Sequence, residues 1–457
     1  MPRHVRADLS SRLSFWTLVC FLMLVWIAGG ASRSDAAGQV VVRFSAWTIL
    51  IGAMLALPRF DWREVRMPIV FVGLIVALTA IQLIPLPPAL WTALPGREVL
   101  TGAAAAIGEQ QPWRPLSISP SATANALGSL IVPVTIFVLI ANLTRTQHWR
   151  IAALLLGLTV AGSLLGLLQF SGVHFDHPLV NDTQGLISAN FANRNHFALF
   201  LAIGCVVALV WAFERDGARW KMFVGTGTVL LLALMILATG SRMGMVVGTI
   251  GVILGLMIVR TRISGEFKRL PRKAAIALAL SLVILIIGAV WLSIGLNRAV
   301  SIERILMLDA SNDLRTQITP VVFDMIARYL PVGAGFGTFD PAFRMVEPDN
   351  FLRPSYFNRA HNDWLEIVLD GGLAAALLLA AVLVWFVRRS LAVWRRHEKI
   401  ASPLPQVGSA IILLVLIASV VDYPARTPMV MAILAVATAW LATDKLAGMK
   451  PKGGRSS

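Results

Sequence analysis

Arg359, His361, Asn362 and Asp363 stand together in "FNRAHNDWLEIVLDGG", directly before an apolar run that continues through "LAAALLLAAVLVWF". Histidine exchanges a proton near neutral pH, and arginine holds a fixed fork of donors that fits phosphate and carboxylate oxygens. The stretch therefore contains the parts needed to orient a hydroxyl, or take its proton, beside an anion. Asp363 and Glu366 also have the spacing of a capping box, and with Asn362 they can satisfy free amides at a helix start. Capping accounts for those three residues and leaves His361 unexplained. Read alone, a loop histidine is equally a solvated, hydrogen-bonded surface group.

Polar groups of the same kinds recur beside other apolar runs. Asn193, Arg194, Asn195 and His196 lie in "SANFANRNHFALF", Arg242 in "ATGSRMG", Arg315 in "DLRTQITPVVFDMIARYL", and Asp422 and Arg426 in "VVDYPARTP". Any one arginine at a helix end can snorkel to lipid phosphates, but the whole set falls on one face of the expected membrane topology. Asp370 shares a helix face with Asp363 and Glu366, at spacings of seven and four. A carboxylate two turns inside an apolar helix calls for a cation or a polar partner. Arg43 is the candidate cation, and a structural interhelical hydrogen bond is the alternative.

Other chemistries find less support. His174, Asp176, His177 and Asp182 in "HFDHPLVND" have spacing compatible with a metal, yet no third histidine or cysteine cluster joins them. No metal and no cofactor is expected. Neither a "GxSxG" elbow nor an "HExxH" motif occurs. Cys20 and Cys205 both fall inside apolar runs, as buried small residues rather than a disulfide framework.

The elements that must position these residues are membrane helices. The chain has 457 residues, is 57% hydrophobic and only 14% charged, and carries repeated apolar runs long enough to cross a bilayer. An all-α polytopic membrane protein follows, with about twelve spans beginning near Phe15, Val40, Pro68, Ala124, Ile151, His196, Met222, Met243, Ala274, Trp364, Gly408 and Thr427. The net charge of +16 resides in alternate loops, such as "RTRISGEFKRLPRK" and "RRSLAVWRRHEK". That is the pattern of membrane orientation rather than of nucleic-acid binding. Both termini are then cytoplasmic, and the N-terminal apolar run is an uncleaved first helix.

The opposite face carries three longer segments, Leu86 to Thr123, Ser171 to Asn195 and Asn297 to Asp363. The organisation is thus 1–170 and 171–296 as membrane helices, 297–363 as a large outer loop, and 364–457 as the last helices and tail. In that loop, Leu314, Ile318, Val322, Met325 and Tyr329 have helical spacing, predicting a helix with one apolar face and a break at Pro320. "PVGAGFGTF" has glycine at every second position from Gly333 to Gly337, which predicts a tight loop.

"FANRNHFALFLA", "GSRMG", the arginine of "DLRTQ" followed by "LPVGAGFGTF", and "AHNDWLEIVLDGGL" together resemble the O-antigen ligase family, in that family's order, over roughly Val180 to Asp422. The family also includes polysaccharide polymerases and protein O-oligosaccharyltransferases. The resemblance implies a C-type glycosyltransferase of the bacterial inner membrane. Such an enzyme is inverting and metal-independent, moves a glycan from undecaprenyl diphosphate to an acceptor, and has its active site facing the periplasm. Residue by residue, it implies catalytic roles for Arg242, Arg315 and His361. Arg194, Asn195, His196, Arg359, Asn362, Asp363 and Arg426 become substrate-binding candidates around them. The acceptor would be lipid A core or a lipid-linked chain, membrane lipids would surround the enzyme, and a chain-length regulator is a possible partner. "DYPARTP" with "HNDWLE" is closer to the polymerase members. The rival of another class is a flippase for the same lipid-linked glycans, though transporters gather ionisable groups at mid-membrane rather than at one face. A peptidoglycan polymerase is the second rival.

Overall fold

The protein is described here by a computed structural model that covers residues 3–56, 62–173, 176–180, 185–214, 219–267, 314–352, 357–396, 402–443 and 446. In chain order its helices are α1 (Arg3–Ala28), α2 (Ala37–Ala56), α3 (Arg66–Ile81), α4 (Pro88–Thr92), α5 (Glu98–Ala106), α6 (Pro120–Ser129), α7 (Ile131–Ile140) and α8 (Arg145–Phe170). There follow α9 (Arg194–Ala212), α10 (Arg219–Ala238), α11 (Arg242–Phe267), α12 (Leu314–Tyr329), α13 (Phe339–Arg344), α14 (Asp363–Arg395), α15 (Leu404–Ala418) and α16 (Pro428–Ala442). The sheet content among the described residues is one short antiparallel pair, β1 (Pro85–Leu86) with β2 (Arg114–Pro115).

Nine of the described helical stretches are long and apolar enough to span a bilayer, with α6 and α7 acting as one; α15 and α16 are shorter apolar helices. Each stands where an apolar run predicts a span. The expected span near Ala274 lies outside the described residues. At 15 residues each, α15 and α16 are about 22 Å long, less than the roughly 30 Å of hydrocarbon they would otherwise cross. They tolerate this because they lie inside the bundle rather than against lipid: most of their residues are buried. α9 is the most enclosed of the long helices, with 94% of its apolar window buried. Its sequence is hydrophobic on every side, as a fully surrounded helix requires.

Polar cross-links sort the helix ends into two groups. At one end Asn190 donates to the Trp26 carbonyl, the Gly38 amide to Leu179, and Asn193 to Asp422. At the other, Ser11 bonds Gln147, Arg389 donates to the carbonyls of Leu441 and Ala442, and Trp440 donates to His148. These contacts place the ends of α1, α2, α8, α9, α14 and α16 as the alternation of the predicted spans expects. All the described motif residues lie at the first end.

The outer elements close over that end. Ile318, Val322, Met325 and Tyr329 of α12 are buried and pack with Phe339, Phe343 and Leu369, so the predicted apolar face exists and covers the start of α14. The predicted break at Pro320 does not: α12 is continuous through it. Pro320 lies in the second turn, where the missing amide forfeits a single hydrogen bond and the rest of the helix is anchored by its buried face.

The glycine loop is tight, as its spacing predicts, with positive φ at Gly333, Gly335 and Gly337. It wedges into α14, which breaks at Gly372 (φ 59°, ψ −148°), a conformation open essentially to glycine alone. The carbonyls and amides freed by the break are taken up by the loop. Ala334 and Gly335 donate to Leu369 and Asp370 at 2.9 and 2.8 Å, and Leu373 donates to Pro331 at 2.9 Å. Gln82 adds a third partner from α3, donating to the Asp370 carbonyl at 3.0 Å while accepting from Phe336 at 2.9 Å. Buried Arg97 ties the first outer segment to the same loop through the carbonyls of Leu116 and Gly333.

Candidate functional site

Two buried hubs lie side by side at this end of the bundle. The first is Asp422, which is fully buried. Its carboxylate accepts from Asn193 Nδ2 at 3.2 Å, from Asn195 Nδ2 at 2.5 Å and from the Tyr423 amide at 3.0 Å. Two histidines face it just beyond direct hydrogen-bond distance, His196 Nε2 at 3.7 Å and His361 Nδ1 at 3.6 Å. The Tyr423 ring meets both edge-on, its centroid 5.3 Å from that of His196 and 5.0 Å from that of His361.

The surrounding sequence builds this arrangement locally. Asn193 caps α9 by accepting from the Asn195 amide, which turns both asparagines toward the helix mouth. Asn195 Oδ1 accepts from Ser241 at 2.8 Å, so "FANRNH" is joined to "GSRMG" as well as to "DYPART". His196 Nδ1 pairs with Thr427 Oγ1 at 2.9 Å. Asn195 and His196 are buried, and both serve Asp422. His361 differs from them. Its side chain is 16% exposed, and its backbone has φ 51°, the left-handed region that non-glycine residues rarely enter and that marks functional sites more often than framework. With Nδ1 toward Asp422, ring geometry turns Nε2 away from it, and a neutral imidazole that keeps its proton on Nδ1 presents Nε2 as an acceptor.

The second hub is Arg426. Its guanidinium lies 3.1 Å from Asp363, 3.2 Å from Glu366 and 3.4 Å from Asp370. Burial works against the charge of Arg426, but the carboxylates of Glu366, Asp370 and Asp363 outweigh it and hold its pKa above the ordinary arginine value. Arg359 adds a second cation, 3.0 Å from Glu366. The partner of Asp370 is thus Arg426, together with the Gly337 amide at 3.1 Å, and not Arg43. Arg43 sits instead with Asn125 and Gln39.

The capping box is not formed either. Asn362 alone caps α14, accepting from the Leu365 amide at 3.1 Å. The Asp363 side chain is drawn to Arg426 and to Ser419 at 3.1 Å, and Glu366 to Arg359 and the Ala360 amide. Ion pairing of buried carboxylates outweighs capping, because an unpaired charge there costs several kcal/mol against about 1 for a cap.

His361, Asn195 and His196 are thus gathered around Asp422, Asp363 and Arg359 belong to the Arg426 hub, and Asn362 caps α14. Arg242 is exposed and follows Ser241, which is bonded to Asn195. Arg194 is half-buried in the first turn of α9. Arg315 lies in the first turn of α12. His174 and Asp182 of the histidine–aspartate stretch lie outside the described residues. Asp422 and Tyr423 are the central groups that sequence reasoning placed only in a turn. The available signal was an acidic residue between two short apolar helices, which must be paired if it is buried.

In chemical terms the site combines a partly exposed histidine, held over a buried carboxylate, with a neighbouring cluster in which two arginines are compensated by three carboxylates. Residues 227–380 match the family model described as O-antigen ligase. No curated protein matches the chain.

Proposed function

We propose that this member of the O-antigen ligase family, matched to it over residues 227–380, is a membrane glycosyltransferase of the ligase or polymerase type that takes its glycan from undecaprenyl diphosphate. The observation that carries the reading is the meeting of "FANRNH", "GSRMG", "AHNDW" and "DYPART" at Asp422, with His361 the partly exposed histidine of the two that face it.

In this reading His361 Nε2 accepts the proton of the acceptor hydroxyl while that oxygen attacks the anomeric carbon. The bond from that carbon to the diphosphate oxygen breaks on the opposite face, so the configuration inverts. Negative charge grows on the departing diphosphate, and Arg242 and Arg315 stabilise it as fixed donors. Asp422 holds His361 in the required orientation and stabilises the imidazolium that forms, and Asn193, Asn195 and His196 hold Asp422 in turn. Arg359 and Arg426 keep the mouth of α14 in shape through Asp363, Glu366 and Asp370. The outer end of the bundle faces the periplasm of the inner membrane, with both termini cytoplasmic.

The test is a reconstituted reaction of purified protein with lipid-linked oligosaccharide, with and without a chelator, resolving products by size and attachment. His361→Ala should lower transfer by roughly 10²-fold to 10⁴-fold, the usual share of a general base, while the protein still inserts and stays monodisperse. Wild-type rates retained in that variant would remove His361 from the mechanism. Loss of activity with chelator would overturn the metal-independent chemistry. Folded wild-type protein that gives no covalent product with any acceptor would favour transport.

A further inference from the structure

A cavity of about 960 Å³ runs down through the bundle beside the Arg426 hub. Its mouth is polar and includes Arg43, Asn125, Arg359, Asp363 and Arg426, and its lower walls are apolar, with Val72, Phe137, Trp385, Phe386 and Leu434. It is deep: from Arg426 at the mouth it reaches Thr438, ten residues into α16, a descent of about 15 Å along the helix. His361 and Arg242 do not line it.

The charges at its mouth are unequal. Arg359 and Arg426 face carboxylates, and Arg33 faces Asp35 at 2.6 Å. Arg43 has only neutral amide oxygens, Asn125 Oδ1 at 2.6 Å and Gln39 Oε1 at 3.1 Å, and its Nε is buried with no hydrogen-bond partner. A guanidinium on a membrane-spanning helix, without a carboxylate among the described residues, is costly unless an anion arrives to meet it. An anion at that mouth with a long apolar chain below it is a lipid phosphate.

We propose that this cavity is a second lipid site, in which the diphosphate of a polyprenyl-linked glycan acceptor sits on Arg43 with its chain along the apolar walls. The proposal rests on the reading that the donor glycan arrives on a lipid diphosphate at His361, Arg242 and Arg315, and it makes the enzyme one that joins two lipid-linked chains. The two lipids would meet across the α14 mouth, because Arg359 and Asp363 line the cavity while His361, between them in sequence, faces the other way over Asp422.

The experiment counts lipids rather than products. Protein in nanodiscs of neutral phosphatidylcholine is titrated with polyprenyl diphosphate and its stoichiometry read by native mass spectrometry. Wild type should hold two equivalents. Arg43→Gln, which keeps hydrogen-bonding capacity but not charge, should hold one, with the second affinity lowered at least tenfold, and Arg43→Lys should restore two. Val72→Trp, which fills the apolar wall without touching the mouth, should also hold one, so the result does not hinge on a single variant folding. His361→Ala should still hold two. One equivalent in wild type, or two in both Arg43→Gln and Val72→Trp, would overturn the proposal. So would displacement of the second lipid by inorganic diphosphate or by phosphatidylglycerol at equal concentration. Two bound lipids in a wild type that gives no transfer in the separate reaction with lipid-linked oligosaccharide would instead sink the catalytic reading and leave the site standing.

Discussion

Asp422 and Arg426 stand four residues apart and do different work. Asp422 accepts from amides and holds two imidazoles at 3.6 and 3.7 Å, so its contribution is orientation at the reacting group. Asp422→Asn preserves its size and removes its charge. It should lower the turnover of glycan transfer at least tenfold, while the KM for the lipid-linked donor stays within about twofold, a split that a purely structural defect would not give. Arg426 balances three carboxylates, and removing it leaves them buried without their main partner. Arg426→Met should destabilise the fold by about 3–5 kcal/mol, read as a lowered midpoint in detergent unfolding. Arg426→Lys should recover only part of this, because a single ammonium cannot reach Asp363, Glu366 and Asp370 in the geometry of a planar fork. These pairings show where sequence reading stops at the residue scale. That Asp370 needed a partner was legible from its depth in an apolar helix. That the partner is Arg426 and not Arg43 was not, because both arginines stand at outer helix ends and the choice is made by how α14 and α15 pack together.

At the scale of elements, the helix break in α14 is what lets the mouth exist. An unbroken helix would keep the Leu369 and Asp370 carbonyls in its own ladder. The break hands them to Ala334 and Gly335 of the loop, which brings the Gly337 amide against the Asp370 carboxylate. Gly372 makes this possible: a Cβ there would stand 2.2 Å from the Pro331 carbonyl oxygen, and one on Gly333 would stand 2.6 Å from that of Asp370. Gly372→Ala should therefore cost roughly 1–3 kcal/mol from its backbone conformation alone, with the loop displaced and transfer activity lost. Exposed Gly227, with open space around its Cβ position, is the control, and alanine there should leave both properties unchanged. The spacing of "PVGAGFGTF" made the tight loop legible, and the apolar runs made the spans legible, because each reflects one local demand. The break was hidden because Gly371 and Gly372 stand inside an apolar run, and glycine is common within membrane helices. The continuity of α12 through Pro320 was hidden too, since it depends on the buried face that anchors the helix.

For the whole molecule, the proposed reaction requires the motif-bearing end of the bundle to be the outer end. Every lysine of the chain falls in the segments assigned to the opposite face or in the tail, and Lys221 is the one placed among the described residues, paired with Glu214 at 2.9 Å beside the far end of α9. By the positive-inside rule that end is expected in the cytoplasm, and the proposed reaction requires the glycan to reach His361 from the opposite side. Orientation can be measured without any knowledge of substrate. In a background where Cys20→Ser and Cys205→Ser remove the native thiols, Ser121→Cys at the cavity mouth and Asn358→Cys beside the histidine loop should react with a membrane-impermeant maleimide in intact cells. Glu214→Cys should react only after the membrane is opened. Incubation with polyprenyl diphosphate should slow labelling at both Ser121→Cys and Asn358→Cys, because both residues line the cavity. The reverse pattern of access, with Glu214→Cys labelled in intact cells, would turn the molecule over and leave a surface glycosyltransferase with its site on the wrong side of the membrane.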